Sequence, residues 1–135
     1  MILGLGCAPK FAWVGKWTGN RNLPVKPGDN PSIVYTIGQV ELTFEPSGKF
    51  VLVEGGVPKT GYATLSDKEA RLKIETFMGK PIAQVGGREQ LEEPVIVSVQ
   101  KDGTLSLVDP AGFDTRPIVL KRTPPLHSGG EGAGG

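Results

Sequence analysis

Between Phe11 and Arg122 apolar and polar residues alternate in short runs, the period of two that predicts β-strands with one dry face. The first run, FAWVGKWTG from Phe11 to Gly19, puts Trp13, Gly15 and Trp17 on one side and holds both tryptophans of the chain. From Gln39 to Glu45, Val40, Leu42 and Phe44 alternate with Glu41, Thr43 and Glu45. The next run, KFVLVE from Lys49 to Glu54, is apolar on both faces, so Val51 and Val53 call for some cover on the outer side. Thr60 to Ser66 sets Gly61, Ala63 and Leu65 against Tyr62 and Thr64, and RLKIETF points Leu72, Ile74 and Thr76 inward with Lys73 and Glu75 to water. Val95–Val99, Thr104–Asp109 with Leu105 and Leu107, and Arg116–Arg122 with Ile118, Leu120 and Arg122 in phase complete the set.

What separates the runs is mostly tight turn wording: EPSG, GGVPK, SDKEA and KDG. Three connections are longer. NRNLPVKPGDNP reads as loop, and SIVYTIG after it admits two readings. Asn30 and Pro31 suit a helix start, with Ile33, Val34 and Ile37 on an inner face and Gly38 at its end, whereas the β-branched content suits an extended lead-in. The need to cover a barrel mouth favours the short helix over 31–37. The connection from Met78 to Pro94 reads as a polar excursion with Ile82 or Val85 tucked against the rim, against the alternative of a binding lid. DPAGFDTRP is a second rim loop whose Phe113 is placed to plug an end.

Eight short strands joined in this way predict an all-β fold, an eight-stranded antiparallel up-and-down barrel. An arginine closing the apolar face of the last strand needs a partner. A guanidinium over the Trp17 indole, worth about 0.5 to 2 kcal/mol, with its other donors on carbonyls at a barrel end, supplies one. The first and last strands are then neighbours and the ring is closed by Gly15, Trp17 and Arg122. A barrel over 11–122 is thus flanked by an N-terminal arm or signal remnant at 1–10 and a disordered Gly-rich tail at 123–135.

Composition narrows the class without naming an activity. The chain has 135 residues, one domain's worth, and its single cysteine excludes an internal disulfide. With 15 Lys plus Arg against 14 Asp plus Glu, and no run of either sign, nothing points to nucleic acid as a partner. Five of the 20 glycines lie between Gly129 and Gly135, so most of the rest punctuate strands.

The residues Gly15, Lys16 and Trp17 form a G-x-W triplet. Together with the turns EPSGKF and KDGTL and with Arg122 after an alternating last strand, they make Val14 to Arg122 resemble the lipocalin-like domains of small bacterial secreted proteins and lipoproteins. That resemblance implies a β-barrel able to hold a small ligand and an address in the cell envelope or outside the cell. Gly4, Leu5 and Gly6 before Cys7 are similar to the end of a lipoprotein signal, which implies lipidation of Cys7. A thiol in a frayed arm is the other reading, and a basic region for such a signal would have to precede Met1.

No catalytic or metal-binding motif is legible, and the single histidine, His127, lies in the tail. No cofactor and no enzymatic activity are expected. Asp109, Asp114 and Arg116 share one rim loop and are the polar cluster to test, with a salt bridge as their simplest role. Two functions remain. One is binding of a small apolar ligand in the barrel interior by Trp17, Phe44, Phe50, Gly61, Ala63 and Leu72, the small residues leaving room. The other is a cell-envelope lipoprotein serving as a structural or protein-interaction module, touching the membrane only through a lipid on Cys7.

Overall fold

The computed structural model describes residues 10–85, 92–112 and 114–123. The expectations for Cys7, Phe113, His127 and the Gly-rich tail lie outside them. The elements in chain order are β1 (Gly15–Asn20), α1 (Pro31–Gly38), β2 (Gln39–Phe44), β3 (Lys49–Glu54), β4 (Val57–Leu65), β5 (Glu69–Phe77), β6 (Lys80–Pro81), β7 (Val95–Val99), β8 (Leu105–Val108) and β9 (Ile118–Arg122). Every strand pairing is antiparallel. The order β4-β3-β2-β1-β9-β8-β7-β5, with β4 also paired to β5, closes eight strands into a barrel, and the two-residue β6 adds to the outer part of β5. This closed ring is compatible with a lipocalin-like fold.

Ring closure rests where the alternation placed it. Trp17 pairs with Arg122 and Thr18 with Lys121, and Thr123 N donates to Lys16 O at 2.8 Å. The Arg122 guanidinium lies 4.2 Å from the Trp17 ring centroid and donates to the carbonyls of Val14, at 2.9 Å, and Ala12. β1 begins at Gly15 rather than at Phe11. Gly15 has φ +129°, and a Cβ there would lie 2.8 Å from Arg122 Nη1, so a glycine is what lets the chain turn under the arginine. The residues before it fold across the barrel end. Phe11 stacks on Trp17 at 5.7 Å and meets Trp13 edge-on at 4.7 Å, while the Trp13 indole N–H donates to Ser66 O at 2.8 Å.

Side chains fill the interior. Trp13, Trp17, Leu42, Phe44, Phe50, Leu52, Leu72, Leu105, Leu107 and Leu120 are buried in one apolar cluster, as expected for a ring of this strand number. Ile82 and Val85 pack on that cluster from the long connection after β5. On the outer face Val51 pairs with Thr43 and Thr60, and Val53 with Glu41 and Pro58. Those neighbours leave both valines half-buried, which is the cover their sequence called for.

Three local expectations are corrected. The helix forms, capped by the Asn30 side chain accepting from Ser32 N at 2.9 Å, but it does not lay an apolar face on the barrel mouth. Ile33 and Ile37 are 57% and 43% exposed, and only Val34 and Gly38 turn away from solvent. β4 starts at Val57, not Thr60, because Gly55 and Gly56 both take positive φ and close a two-residue hairpin turn. Finally, Gly61 leaves no room for a ligand or for Trp17. It sits at a register shift between β4 and β5, where a Cβ would lie 1.9 Å from Lys73 O.

Two substitutions test this packing. Gly61→Ala should destabilise by about 3 kcal/mol in urea denaturation, because the β5 backbone has to move; a change within experimental error would mean that the two strands are not held in close approach. Arg122 is solvent-exposed, so Arg122→Met should cost a smaller amount, about 1 to 2 kcal/mol, and Arg122→Lys should recover less than half of it. Full recovery by lysine would mean that the forked contact to two carbonyls is immaterial.

Candidate functional site

Up-and-down topology gives the barrel two unlike ends. One carries the aromatic arm and Arg122. At the other, polar side chains continue the inward phase of apolar strands: Glu54 follows Phe50 and Leu52 in β3, and Asp109 follows Leu105 and Leu107 in β8. The Gly55–Gly56 turn brings Lys59, the third residue of β4, to the same level. Arg21 arrives from just beyond the end of β1.

These four form a buried ion cluster. Lys59 Nζ donates to Glu54 Oε1 at 3.1 Å and to Asp109 Oδ2 at 2.5 Å, and the other Asp109 oxygen accepts from Ala111 N at 2.9 Å. Glu54, Lys59 and Asp109 are 4%, 2% and 0% exposed. Arg21 Nη1 donates to Arg116 O at 2.9 Å and lies 3.7 Å from Asp114, while Nη2 stands 3.8 Å from Glu54 Oε2. Asp114 in turn holds Arg116 through Nε at 3.0 Å and Nη2 at 2.7 Å. The rim loop after β8 is therefore pinned by a lysine at its start and an arginine further along.

The carboxyls titrate apart. Burial, and then the hydrogen bond and charge of Asp109, push Glu54 up to about 8 against the opposing pull of Lys59. Burial also raises Asp109, but hydrogen bonds from Glu54, Lys59 and the Ala111 amide, with the Lys59 charge, outweigh it and hold Asp109 below its ordinary value. Asp114 is held well below the usual carboxylate range by the Arg116 side chain and amide. Near neutral pH the cluster thus contains a protonated Glu54 beside an ionised Asp109. Three of its buried polar atoms, Glu54 Oε2, Arg21 Nε and Arg21 Nη2, meet no hydrogen-bond partner.

An open cavity of about 290 Å³ adjoins the cluster, lined by Glu54, Lys59, Val57, Phe77, Ala111 and Gly112. The Lys59 ammonium also sits 5.9 Å from the centroid of the Phe77 ring. A larger hollow of about 560 Å³ lies outside the wall, between Thr18–Asn22 and Arg116–Val119. Arg21 is among its lining, with its guanidinium engaged by the Arg116 carbonyl, Asp114 and Glu54 rather than free in the hollow.

Of the residues expected to bind a ligand in the interior, Trp17, Phe44, Phe50 and Leu72 are brought together as packed core, and Ala63 packs against them half-buried. Gly61 serves the strand crossing described above. In the polar cluster, Asp114 and Arg116 do form the expected salt bridge, while Asp109 belongs to Lys59 instead. Arg21, Glu54 and Lys59 carry no mark in the sequence pattern, although an inward glutamate follows directly from the phase of KFVLVE. Lys59 is hidden by a β4 that reads as starting only at Thr60. Among the described residues no three His, Cys, Asp or Glu side chains converge as a metal site, and no helix is long and apolar enough to cross a membrane. Comparison with known proteins finds no matching family model and no curated protein of matching sequence.

The raised Glu54 makes stability fall with rising pH. A carboxyl that binds its proton more tightly when folded gives its full contribution below about 4.5 and loses it across the window from there to about 8. Urea unfolding should show this loss as a few kcal/mol between pH 5 and 8, and Glu54→Gln should flatten the profile. Parallel profiles for the two proteins would place the proton elsewhere.

Proposed function

We propose that this protein binds a small, largely apolar molecule as a lipocalin-like carrier or sensor, and that the ligand sits at the open mouth of the barrel rather than in its packed interior. The observation that carries this reading is the cavity beside the ion cluster, with Val57, Phe77 and Ala111 as its apolar walls. Concave, mainly apolar pockets with a few fixed polar groups are the usual form of small-molecule sites, and about 290 Å³ stands at the lower end of their size range. The role is binding, not catalysis. Glu54 and Lys59 touch each other and Asp109, an arrangement that positions groups without leaving a free base beside a nucleophile.

A second reading, an interaction module at the cell envelope, draws support from the exposure of Ile33, Tyr35 and Ile37 on α1. The two are separated by a neutral apolar dye. N-phenyl-1-naphthylamine should gain fluorescence with the wild-type protein, and Ala111→Trp, which fills the mouth, should abolish the gain without lowering the urea midpoint. Lack of uptake by the wild type, or equal uptake by the variant, would rule out the mouth and leave the interaction module.

A further inference from the structure

The larger hollow, of about 560 Å³, occupies a fork in the barrel wall. β1 has six residues and β9 five, yet they pair only at Trp17 with Arg122 and Thr18 with Lys121. The next positions in that register, Gly19 with Leu120 and Asn20 with Val119, form no pair. The strands still touch at Gly19, where a Cβ would lie 2.3 Å from Val119 O, and they part beyond it. Each stays paired on its other side, Asn20 with Gln39 of β2 and Val119 with Ser106 of β8, so both flanks hold the fork open. Arg21 Nη1, donating to Arg116 O at 2.9 Å, closes its base. The result is a bounded depression, not a free sheet edge along which a further strand could add.

What faces this hollow is one-sided in charge. Arg21, Arg116 and Lys121 line it, and no Asp or Glu does. Arg21 is buried and engaged, so the cations within reach of a ligand are the other two. Arg116, its side chain 75% exposed, gives Nε and Nη2 to Asp114 and keeps Nη1. The exposed Lys121 ammonium has no ion pair or hydrogen bond among the described residues. Asp102, whose carboxyl feels the Lys121 charge, is committed to Thr104. Asn22 adds a side-chain amide that also meets no partner among the described residues, and its backbone stands in the left-handed region at φ +53°. Such conformations cost energy outside glycine and gather where a side chain has to be aimed. The apolar part of the wall is Pro117 with the half-exposed Val119.

We infer that this fork is a second binding site, separate from the mouth, for a small organic oxyanion. The anion's oxygens accept from Lys121, Arg116 Nη1 and the Asn22 amide, while its apolar body rests on Val119 and Pro117. Phosphate monoesters and carboxylates share this chemistry. Lysine acts as a point charge that suits either, and Arg116, already clamped to Asp114, offers a single further donor rather than a bidentate grip. A volume of about 560 Å³ lies well inside the usual range of small-molecule sites.

Titration calorimetry of the full chain tests this at low ionic strength, where exposed charges are least screened. The probes are phenyl phosphate and benzoate, with benzyl alcohol as the neutral counterpart and inorganic phosphate as a bare headgroup. At least one of the two organic anions should bind about tenfold more tightly than benzyl alcohol, and the tighter of them assigns phosphate ester or carboxylate. Lys121→Gln should weaken that anion about tenfold, the effect of one charge-assisted hydrogen bond. Val119→Trp, which fills the hollow from an exposed position, should abolish its binding. Lys73→Gln removes an exposed cation from the opposite wall, and Ala111→Trp fills the mouth. Both should leave the affinity unchanged, with urea midpoints confirming the fold of every variant. No heat from either organic anion, or an affinity untouched by Lys121→Gln, overturns the site. An equal loss in Lys73→Gln marks diffuse surface charge, and a loss in Ala111→Trp puts the anion in the mouth; each overturns the fork. Inorganic phosphate binding as tightly as the organic anions means an adventitious ion only and overturns it too.

Discussion

A ring of eight hydrogen-bonded strands has an interior just wide enough for its own side chains, and that width governs what each end of this protein can do. Once Trp17, Phe44, Phe50, Leu52, Leu72 and their neighbours occupy the middle, no inward-facing polar group can sit there with its hydrogen bonds made. Polar residues that keep the inward phase of their strands are forced to the rims. The seam between β1 and β9 is therefore a precondition for the site as well as for the fold. Opened, it would expose the apolar faces of both strands and free Arg21, which follows directly on β1, from Glu54.

The two rims answer this constraint differently. At the arm end nearly every donor has a carbonyl: Arg122 on Val14 and Ala12, Trp17 on Trp13, Trp13 on Ser66. Phe11 then stacks over Trp17, and the Asp67 side chain accepts from the Phe11 amide at 3.1 Å and from that of Lys10. That end is a seal. At the open end two carboxyls converge on one ammonium, and one guanidinium spans a glutamate, an aspartate and a backbone carbonyl without filling its donors. An ion cluster with unfilled hydrogen-bonding atoms, beside a cavity with apolar walls, thus stands at the rim opposite the sealed one.

How much of this was legible depended on period and on turns. Alternation located all eight barrel strands, and the phase of PIVLKR put Arg122 over Trp17 correctly, because a period of two leaves little freedom once one face is dry. The start of β4 was less legible, since a GG pair reads as loop until both glycines are seen to take positive φ. Lys59 was lost with it. Helix α1 was recognisable by its Asn30–Pro31 start, yet its orientation was not, because Ile33 and Ile37 look like an inner face in any helix wheel and only tertiary contacts reveal them as exposed. Gly61 suggests empty space by the volume it lacks. In the fold its value is the closeness it permits to the Lys73 carbonyl, a relation between strands that no single strand encodes.

The ion cluster also bears on why these residues are charged at all. A buried pair is a weak stabiliser, since desolvation of both partners offsets most of their attraction, and apolar residues of similar size often serve as well. Lys59 and Asp109 would suffice to neutralise each other, and Asp109 additionally holds the rim loop through the Ala111 amide. Glu54 shares through its first oxygen the ammonium that Asp109 binds at 2.5 Å, and its second oxygen stands 3.8 Å from Arg21 Nη2 without a hydrogen bond. A raised Glu54 beside a lowered Asp109 lets two carboxyls share one lysine in a dry site. A carboxyl pushed up to about 8, with one oxygen beside an arginine whose donors are only partly filled, is therefore a poor solution for stability.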